Sequence, residues 1–263
     1  MKVLVIVPTY NEAHNVVTLI PGVLSHGNRD RLVEVLVIDD ASPDGSADVV
    51  ASLAETDPRI HLLRRPGKLG LGTAYVEGFR FAQTRDYDLV VQMDGDLSHD
   101  PRYLPQFFEK ASEFDLVVGS RYLNGVSIVN WPLWRLLLSY FGCSLARRVT
   151  GLPVTDATSG YKCFRSKVLQ DADLSHIQSN GYGFQIEFTH RLWSKGYRVA
   201  EIPIVFVDRF EGQSKMSAAI GFEACLLLVR LWWFRAWHSL KRIGARRAVR
   251  QSKHERAGAL GIK

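Results

Sequence analysis

Four short, nearly unbroken apolar runs, each closing on a polar cluster, leave few folds open to this chain. Val3 to Val7 runs into Pro8-Thr9-Tyr10-Asn11-Glu12, and Val33 to Ile38 into Asp39-Asp40. Leu89 to Met93 runs into Asp94-Gly95-Asp96, and Leu116 to Val118 into Gly119-Ser120-Arg121. Strands with so little polar alternation are buried on both faces, as in parallel sheets covered by helices. Stretches of helical character separate them, at roughly 12–26, 44–56, 72–84 and 101–113, so the pattern predicts βαβ units in a doubly wound α/β sheet. Further on, Trp131 to Val149 reads as an amphipathic or interfacial helix, 183–195 as a helix, 197–207 as a strand and 208–217 as a polar loop.

Ligands of such sheets bind outside the carboxyl ends of the strands, and those ends carry the carboxylates, Tyr10 and Arg121. Asp94 and Asp96 are separated by one small residue at the end of a buried strand. That arrangement suits a hard divalent cation, Mg²⁺ or Mn²⁺, bridging the oxygens of a diphosphate, with Gly95 letting the ligand approach the backbone. Asp39 and Asp40 close the second strand, where a buried acid needs a partner. A nucleotide base or ribose would supply one; so would a helix cap or turn at Ser42-Pro43-Asp44-Gly45. Tyr10 offers a stacking face and Glu12 an acceptor, although Pro8 to Glu12 also reads as a plain strand-to-helix turn. Arg121 and Arg135 suit phosphate, since guanidinium presents a fixed fork of donors; surface ion pairs are the alternative. Gly70-Leu71-Gly72 falls short of a dinucleotide-binding Gly-x-Gly-x-x-Gly pattern.

The chain carries +6, but residues 238–263 hold eight Lys or Arg against Glu255 alone, so the remainder is at −1. Basic charge confined to one terminal segment argues against nucleic-acid binding by the folded part and for an anionic surface such as acidic lipid, with a solvated tail as the alternative. Ala218 to Trp237 is apolar and near the length of a membrane span, but Glu223, Arg230 and Arg235 interrupt it. Phe222, Leu226, Val229, Trp233 and Trp237 share one helical stripe, which favours a helix lying in the interface over a core helix or a true span. Cys143, Cys163 and Cys225 are odd in number and match no metal pattern, so reduced thiols are expected. Five apolar residues before Pro8 are too few for a secretory leader. The expected location is therefore peripheral, on the cytoplasmic face of a membrane.

Taken together, these runs resemble the polyprenol- and dolichol-phosphate mannose synthases, inverting family 2 glycosyltransferases of the GT-A fold, over residues 1 to about 240. The matching stretches are Val-Pro-Thr-Tyr-Asn-Glu (7–12), Ile-Asp-Asp-Ala-Ser-Pro-Asp (38–44), Met-Asp-Gly-Asp-Leu-Ser-His (93–99), Gly-Ser-Arg-Tyr (119–122), Asn-Trp-Pro-Leu-Trp-Arg (130–135), Asp-Ala-Thr-Ser-Gly-Tyr (156–161) and Gly-Gln-Ser-Lys (212–215). The resemblance implies a Rossmann-like, mostly parallel sheet flanked by helices: a catalytic domain at 1–216, an amphipathic interface helix at 217–240 and a basic tail at 241–263. It implies nucleotide-sugar contacts from Pro8, Tyr10, Glu12, Ile38, Asp39, Asp40, Asp94, Gly95, Asp96, Arg121, Arg209 and Lys215. Asp94 and Asp96 would hold Mg²⁺ or Mn²⁺, with Ser98 standing where relatives often carry a Gln ligand. Arg121, Arg135 and Ser139 would hold the acceptor phosphate, and Arg209 and Lys215 would close over the donor.

The implied substrates are GDP-mannose and a polyprenyl phosphate at the membrane surface, with a membrane-anchoring protein left open as a partner. Glucose from UDP is the neighbouring alternative, and a non-catalytic nucleotide-sugar sensor the alternative from another class. A phosphate monoester with a second pKa near 6 is largely a dianion at neutral pH and needs no protein base, and no His or Glu stands out as one. Direct displacement would invert the anomeric centre, with Asp96, Arg121, Arg209 and Lys215 as the catalytic set. Asp156 reads equally as lining the acceptor side or as a turn residue.

Overall fold

The computed structural model describes residues 1–175, 177 and 181–208. Arg209, Lys215, Cys225 and the expected interface helix and basic tail lie outside the described residues. In chain order the elements are β1 (Lys2–Thr9), α1 (Ala13–Leu24), β2 (Leu32–Asp39), α2 (Ser46–Thr56), β3 (Ile60–Arg64), α3 (Leu71–Gln83) and β4 (Leu89–Gln92). A 3-10 turn at Pro101–Tyr103 leads into α4 (Leu104–Lys110), followed by β5 (Leu116–Ser120), β6 (Ile128–Val129), α5 (Leu133–Thr150), β7 (Lys162–Arg165), α6 (Ser166–Gln170), α7 (Gly181–Ser194), β8 (Val199–Pro203) and β9 (Phe206–Val207).

Seven strands form one sheet in the order β3-β2-β1-β4-β7-β5-β8, and β6 pairs with β9 in a separate ribbon. All pairings in the large sheet are parallel except those of β7, which runs antiparallel to both β4 and β5. The expected strand over 197–207 is two: β8 in the large sheet and β9 in the ribbon.

Side chains alternate across a strand, so each apolar run divides between two cores. Val3, Val5 and Val7 of β1 and Val33, Val35 and Val37 of β2 pack with Val16, Leu19, Ile20 and Val23 of α1 and Phe107 of α4. Leu4, Ile6, Leu36 and Ile38 face the other way, against Tyr75 and Phe79 of α3 and Phe184 and Phe188 of α7. This double burial explains why the runs carry so few polar positions. Strand order reverses at β1, which lies between β2 and β4. A crevice opens at such a switch point, and the turns after Thr9, Asp39 and Gln92 all open onto it.

Candidate active site

The β1–α1 and β2–α2 turns are stitched together by side chains from the second. Asn11 N–H donates to Ser42 Oγ (3.0 Å), Glu12 N–H to Ser46 Oγ (2.9 Å) and Ala13 N–H to Asp44 Oδ2 (3.0 Å). Asn11 and Ala41 adopt left-handed φ of 61° and 56°, as does Leu97 at 63°. Such backbone is costly for residues with a side chain and gathers at ligand-binding turns. Here all three flank the carboxyl ends of β1, β2 and β4.

Both buried acids after β2 find partners within the protein. Asp39 accepts from Thr9 Oγ1 (3.1 Å), Ser42 N–H (2.9 Å) and Ser42 Oγ (2.5 Å). Asp40 accepts from Arg65 Nη1 (2.5 Å) on one oxygen and from the N–H groups of Leu69 (3.2 Å) and Gly70 (3.1 Å) on the other. They fix the loops on this side of the crevice. Tyr10 carries the Lys68 ammonium 4.0 Å from its ring centroid. Glu12 takes a hydrogen bond from Asn15 Nδ2 at 2.7 Å. Ile38 is not brought to the mouth: its side chain is buried in the core against α3.

Asp94 and Asp96 are each oriented by hydrogen bonds. Tyr75, fully buried, donates its hydroxyl to Asp94 Oδ1 (3.0 Å). Burial, reinforced by the Asp94 charge and this hydrogen bond, raises the Tyr75 phenol well above its ordinary value, so it stays a donor. Asp94 N–H donates to His99 Nδ1 (3.0 Å), and the His99 ring stacks on Tyr161 at 4.8 Å. Ser98 donates both N–H (3.1 Å) and Oγ (2.5 Å) to Asp96 Oδ1. Ser98, 3% exposed, is thus an orienting group for Asp96. The glycine of this motif serves the fold: a Cβ on Gly95 would meet Pro8 O at 3.2 Å and Thr9 Cγ2 at 3.2 Å. Gly160 leaves space for Asp94, since a Cβ there would lie 3.4 Å from both carboxylate oxygens.

These two oxygen-donor side chains fit a hard divalent ion that takes its other ligands from water and a diphosphate. Among the described residues, no group of three or more His, Cys, Asp or Glu side chains could hold a metal by itself.

After β5, Arg121 is buried and bidentate to Asp156, with Nε 2.6 Å from Oδ2 and Nη2 2.7 Å from Oδ1. Nη2 also donates to Thr158 Oγ1 (2.8 Å). Burial alone would raise the Asp156 carboxyl, but the Arg121 charge and hydrogen bonds outweigh it and hold it below the ordinary carboxylate value. Asp156, left open between two roles by sequence, is the buried counter-ion of Arg121. Arg135, in the first turn of α5, has Nη1 2.9 Å from Asp208 Oδ2. Both guanidinium groups pack against one indole, with Cζ atoms 5.6 Å (Arg121) and 4.1 Å (Arg135) from the Trp131 ring. Ser139 accepts from the Tyr122 hydroxyl (2.8 Å). Among the described residues, the buried donors Trp131 Nε1 and Arg135 Nε have no hydrogen-bond partner.

From this cluster α5 runs outward with Leu133, Trp134, Leu137, Leu138, Phe141 and Leu145 exposed, Leu133 at 68% and Phe141 at 64%. Among the described residues, no helix is long and apolar enough to cross a membrane. Tyr75 was not legible as a site residue, because its phenol reaches Asp94 only through the packing of α3. His99 and Trp131 lie inside recognised stretches but gave no sign of their partners.

The chain is 44% identical over 243 residues to an undecaprenyl-phosphate mannosyltransferase of Micrococcus luteus, covering 92% of this chain and 98% of the relative. It is 42% identical over 236 residues to a polyprenol monophosphomannose synthase of Mycolicibacterium smegmatis, covering 89% and 88%. In fold it is similar to glucosyl-3-phosphoglycerate synthase of Mycobacterium tuberculosis, solved in complex with Mn²⁺, uridine diphosphate and phosphoglyceric acid; the TM-score is 0.63 at 18% identity, covering 88% of this chain and 78% of that one. Since residues 4–172 match the profile of glycosyl transferase family 2, the chain belongs to that family: it is a GT-A glycosyltransferase homologous to the polyprenyl-phosphate mannosyltransferases.

Proposed function

We propose that the protein transfers mannose from GDP-mannose to a polyprenyl monophosphate, with inversion at the anomeric carbon, at a membrane surface on its cytoplasmic face. The observation that carries this reading is the pairing of an anion site with an apolar one. Arg121 and Arg135 share the Trp131 indole, and from the same place α5 exposes Leu133, Trp134, Leu137 and Phe141. A phosphate on a long hydrocarbon tail matches both halves. The printed names of the two relatives, undecaprenyl-phosphate mannosyltransferase and polyprenol monophosphomannose synthase, agree with it.

In this reading, Tyr10, Pro8 and Glu12 receive the nucleoside while Asp39 and Asp40 fix the surrounding loops. A divalent ion, Mg²⁺ or Mn²⁺, held by Asp94 and Asp96 would offset charge building on the departing diphosphate. Tyr75 and Ser98 keep the two carboxylates in place, a preorganisation that spares the site rearrangement during reaction. Arg121 and Arg135 orient the acceptor phosphate, whose dianion attacks without a protein base. Asp156 is unsuited to that work, being fully buried and paired with Arg121. Arg209 and Lys215, outside the described residues, belong to this reading as groups closing on the donor.

The test is transfer of labelled sugar from GDP-mannose, with UDP-glucose in parallel, into organic-extractable polyprenyl phosphate, with and without a chelator. Chelator-sensitive lipid label from GDP-mannose alone is expected. Label from UDP-glucose instead would replace the donor, and binding of donor with no transfer to lipid would point to a sensor.

A further inference from the structure

We propose that Lys68 reads the base of the donor nucleotide, selecting guanine through its O6 and N7 acceptors. The proposal rests on the donor reading above and deepens it. The loop that carries Lys68 is pinned at both ends. Arg65 N–H donates to Asp39 O (2.8 Å), while Leu69 and Gly70 N–H donate to Asp40 Oδ2. The Arg65 guanidinium joins Asp40, Gly70 O (3.3 Å) and Thr73 Oγ1 (2.5 Å), so the loop's course is set by hydrogen bonds to a buried side chain.

Lys68 stands exposed on this frame with its ammonium over the Tyr10 ring, and among the described residues it has no carboxylate partner. A base stacking on Tyr10 takes the place of that ammonium, and a flexible four-carbon stem lets the amine move to the base edge. An ammonium offers donors only. Guanine presents two adjacent acceptors, O6 and N7, whereas adenine places a donor at N6 and uracil lacks N7. Asp39 and Asp40 are buried, 1% and 7% exposed, and held by Thr9 and Ser42 and by Arg65, Leu69 and Gly70. Lys68 is the exposed donor beside the Tyr10 ring that can meet the O6 and N7 edge.

Calorimetric binding of GDP, IDP, ADP and UDP to the full chain and to Lys68→Met tests this. IDP keeps O6 and N7 but lacks the guanine amine, so the wild type should bind GDP and IDP alike and both more tightly than ADP or UDP. Lys68→Met should lose roughly tenfold for GDP and IDP while ADP and UDP change by less than about twofold. Equal loss across all four would make Lys68 a contact to phosphate or to any stacked base, and no loss would remove it from the site; either overturns the proposal. Wild-type protein that binds none of the four, while folded by circular dichroism, would overturn the donor reading itself.

Discussion

Arg121 and Asp156 meet fork to fork in the protein interior, their side chains 5% and 0% exposed, with Nε and Nη2 each on a different carboxylate oxygen. The pair fixes the backbone after β5 as well, because Asp156 Oδ2 also receives the Arg121 N–H at 3.1 Å. Asp156→Asn leaves a buried guanidinium without its counter-charge. Breaking one half of a buried pair costs about 3–5 kcal/mol, whereas replacing both halves with apolar groups of similar size is far less damaging. Urea denaturation should therefore rank Asp156→Asn below the Arg121→Met/Asp156→Leu double variant. A loss under about 1 kcal/mol for the single variant would mean that water compensates Arg121.

The fold was legible where burial dictates composition, and less so where polar residues enter the sheet. Val3 to Val7 could be nothing but a central strand, since both faces of β1 are covered. Strand β7, Lys-Cys-Phe-Arg, escaped notice because two of its four residues are charged and it runs against its neighbours. Asp94-Gly95-Asp96 stood out through its spacing together with its place at the end of a buried strand. The groups around it did not: Tyr75 lies 19 residues before Asp94, on the sheet-facing side of α3. Asp39 and Asp40 were legible as buried acids needing partners; the turn at Ser42, one of the two readings, supplies the partner of Asp39, whereas Arg65 stands 25 residues from Asp40 and gave no sign of that pairing.

Ser98 gives Asp96 two hydrogen bonds, one from N–H and one from Oγ, so Ser98→Ala removes the second and should loosen the hold on that carboxylate without disturbing the core. Groups that orient metal ligands typically contribute tenfold to a hundredfold in metal affinity. Titration of transferase activity with Mg²⁺ or Mn²⁺, and of Mn²⁺ binding by electron paramagnetic resonance, should show about that increase in half-saturating metal for Ser98→Ala, with activity recovered at high metal. Unchanged metal dependence would restrict Ser98 to shaping the turn.

Two glycines in helices should respond to alanine with opposite signs. A Cβ on Gly78 of α3 would lie 2.6 Å from Ile6 Cγ2 and 3.0 Å from Ile38 Cδ1, where β1 and β2 leave no room. Overpacking of this kind costs about 1–3 kcal/mol, more than the gain of up to about 1 kcal/mol in helix propensity. Gly142 of α5 has nothing within 4 Å of an added Cβ, so Gly142→Ala should stabilise the protein by about 0.5–1 kcal/mol. Thermal denaturation of the two variants side by side checks the contrast; destabilisation by both would mean that α5 packs more closely than its exposure indicates.

Lys162 supplies a pH test of the buried polar seam between sheet and α7. Its Nζ donates to Gln185 O (2.9 Å), Gln185 Oε1 (2.8 Å) and Thr189 Oγ1 (2.8 Å), and the side chain is fully buried. Burial pushes the amine down to about 7, with the Asp156 charge opposing it. In the unfolded chain the same amine titrates near 10.4. Between those values the unfolded state binds the extra proton, so stability must rise with pH there, by up to about 1.4 kcal/mol per unit. Below about 7 both states are charged and the full cost of burying the ammonium is present. The difference in unfolding free energy between wild type and Lys162→Met should accordingly shift in favour of wild type from pH 7 to pH 9. A flat difference would mean that the three acceptors around Nζ keep the ammonium charged throughout, since a neutral amine can donate to only two of them.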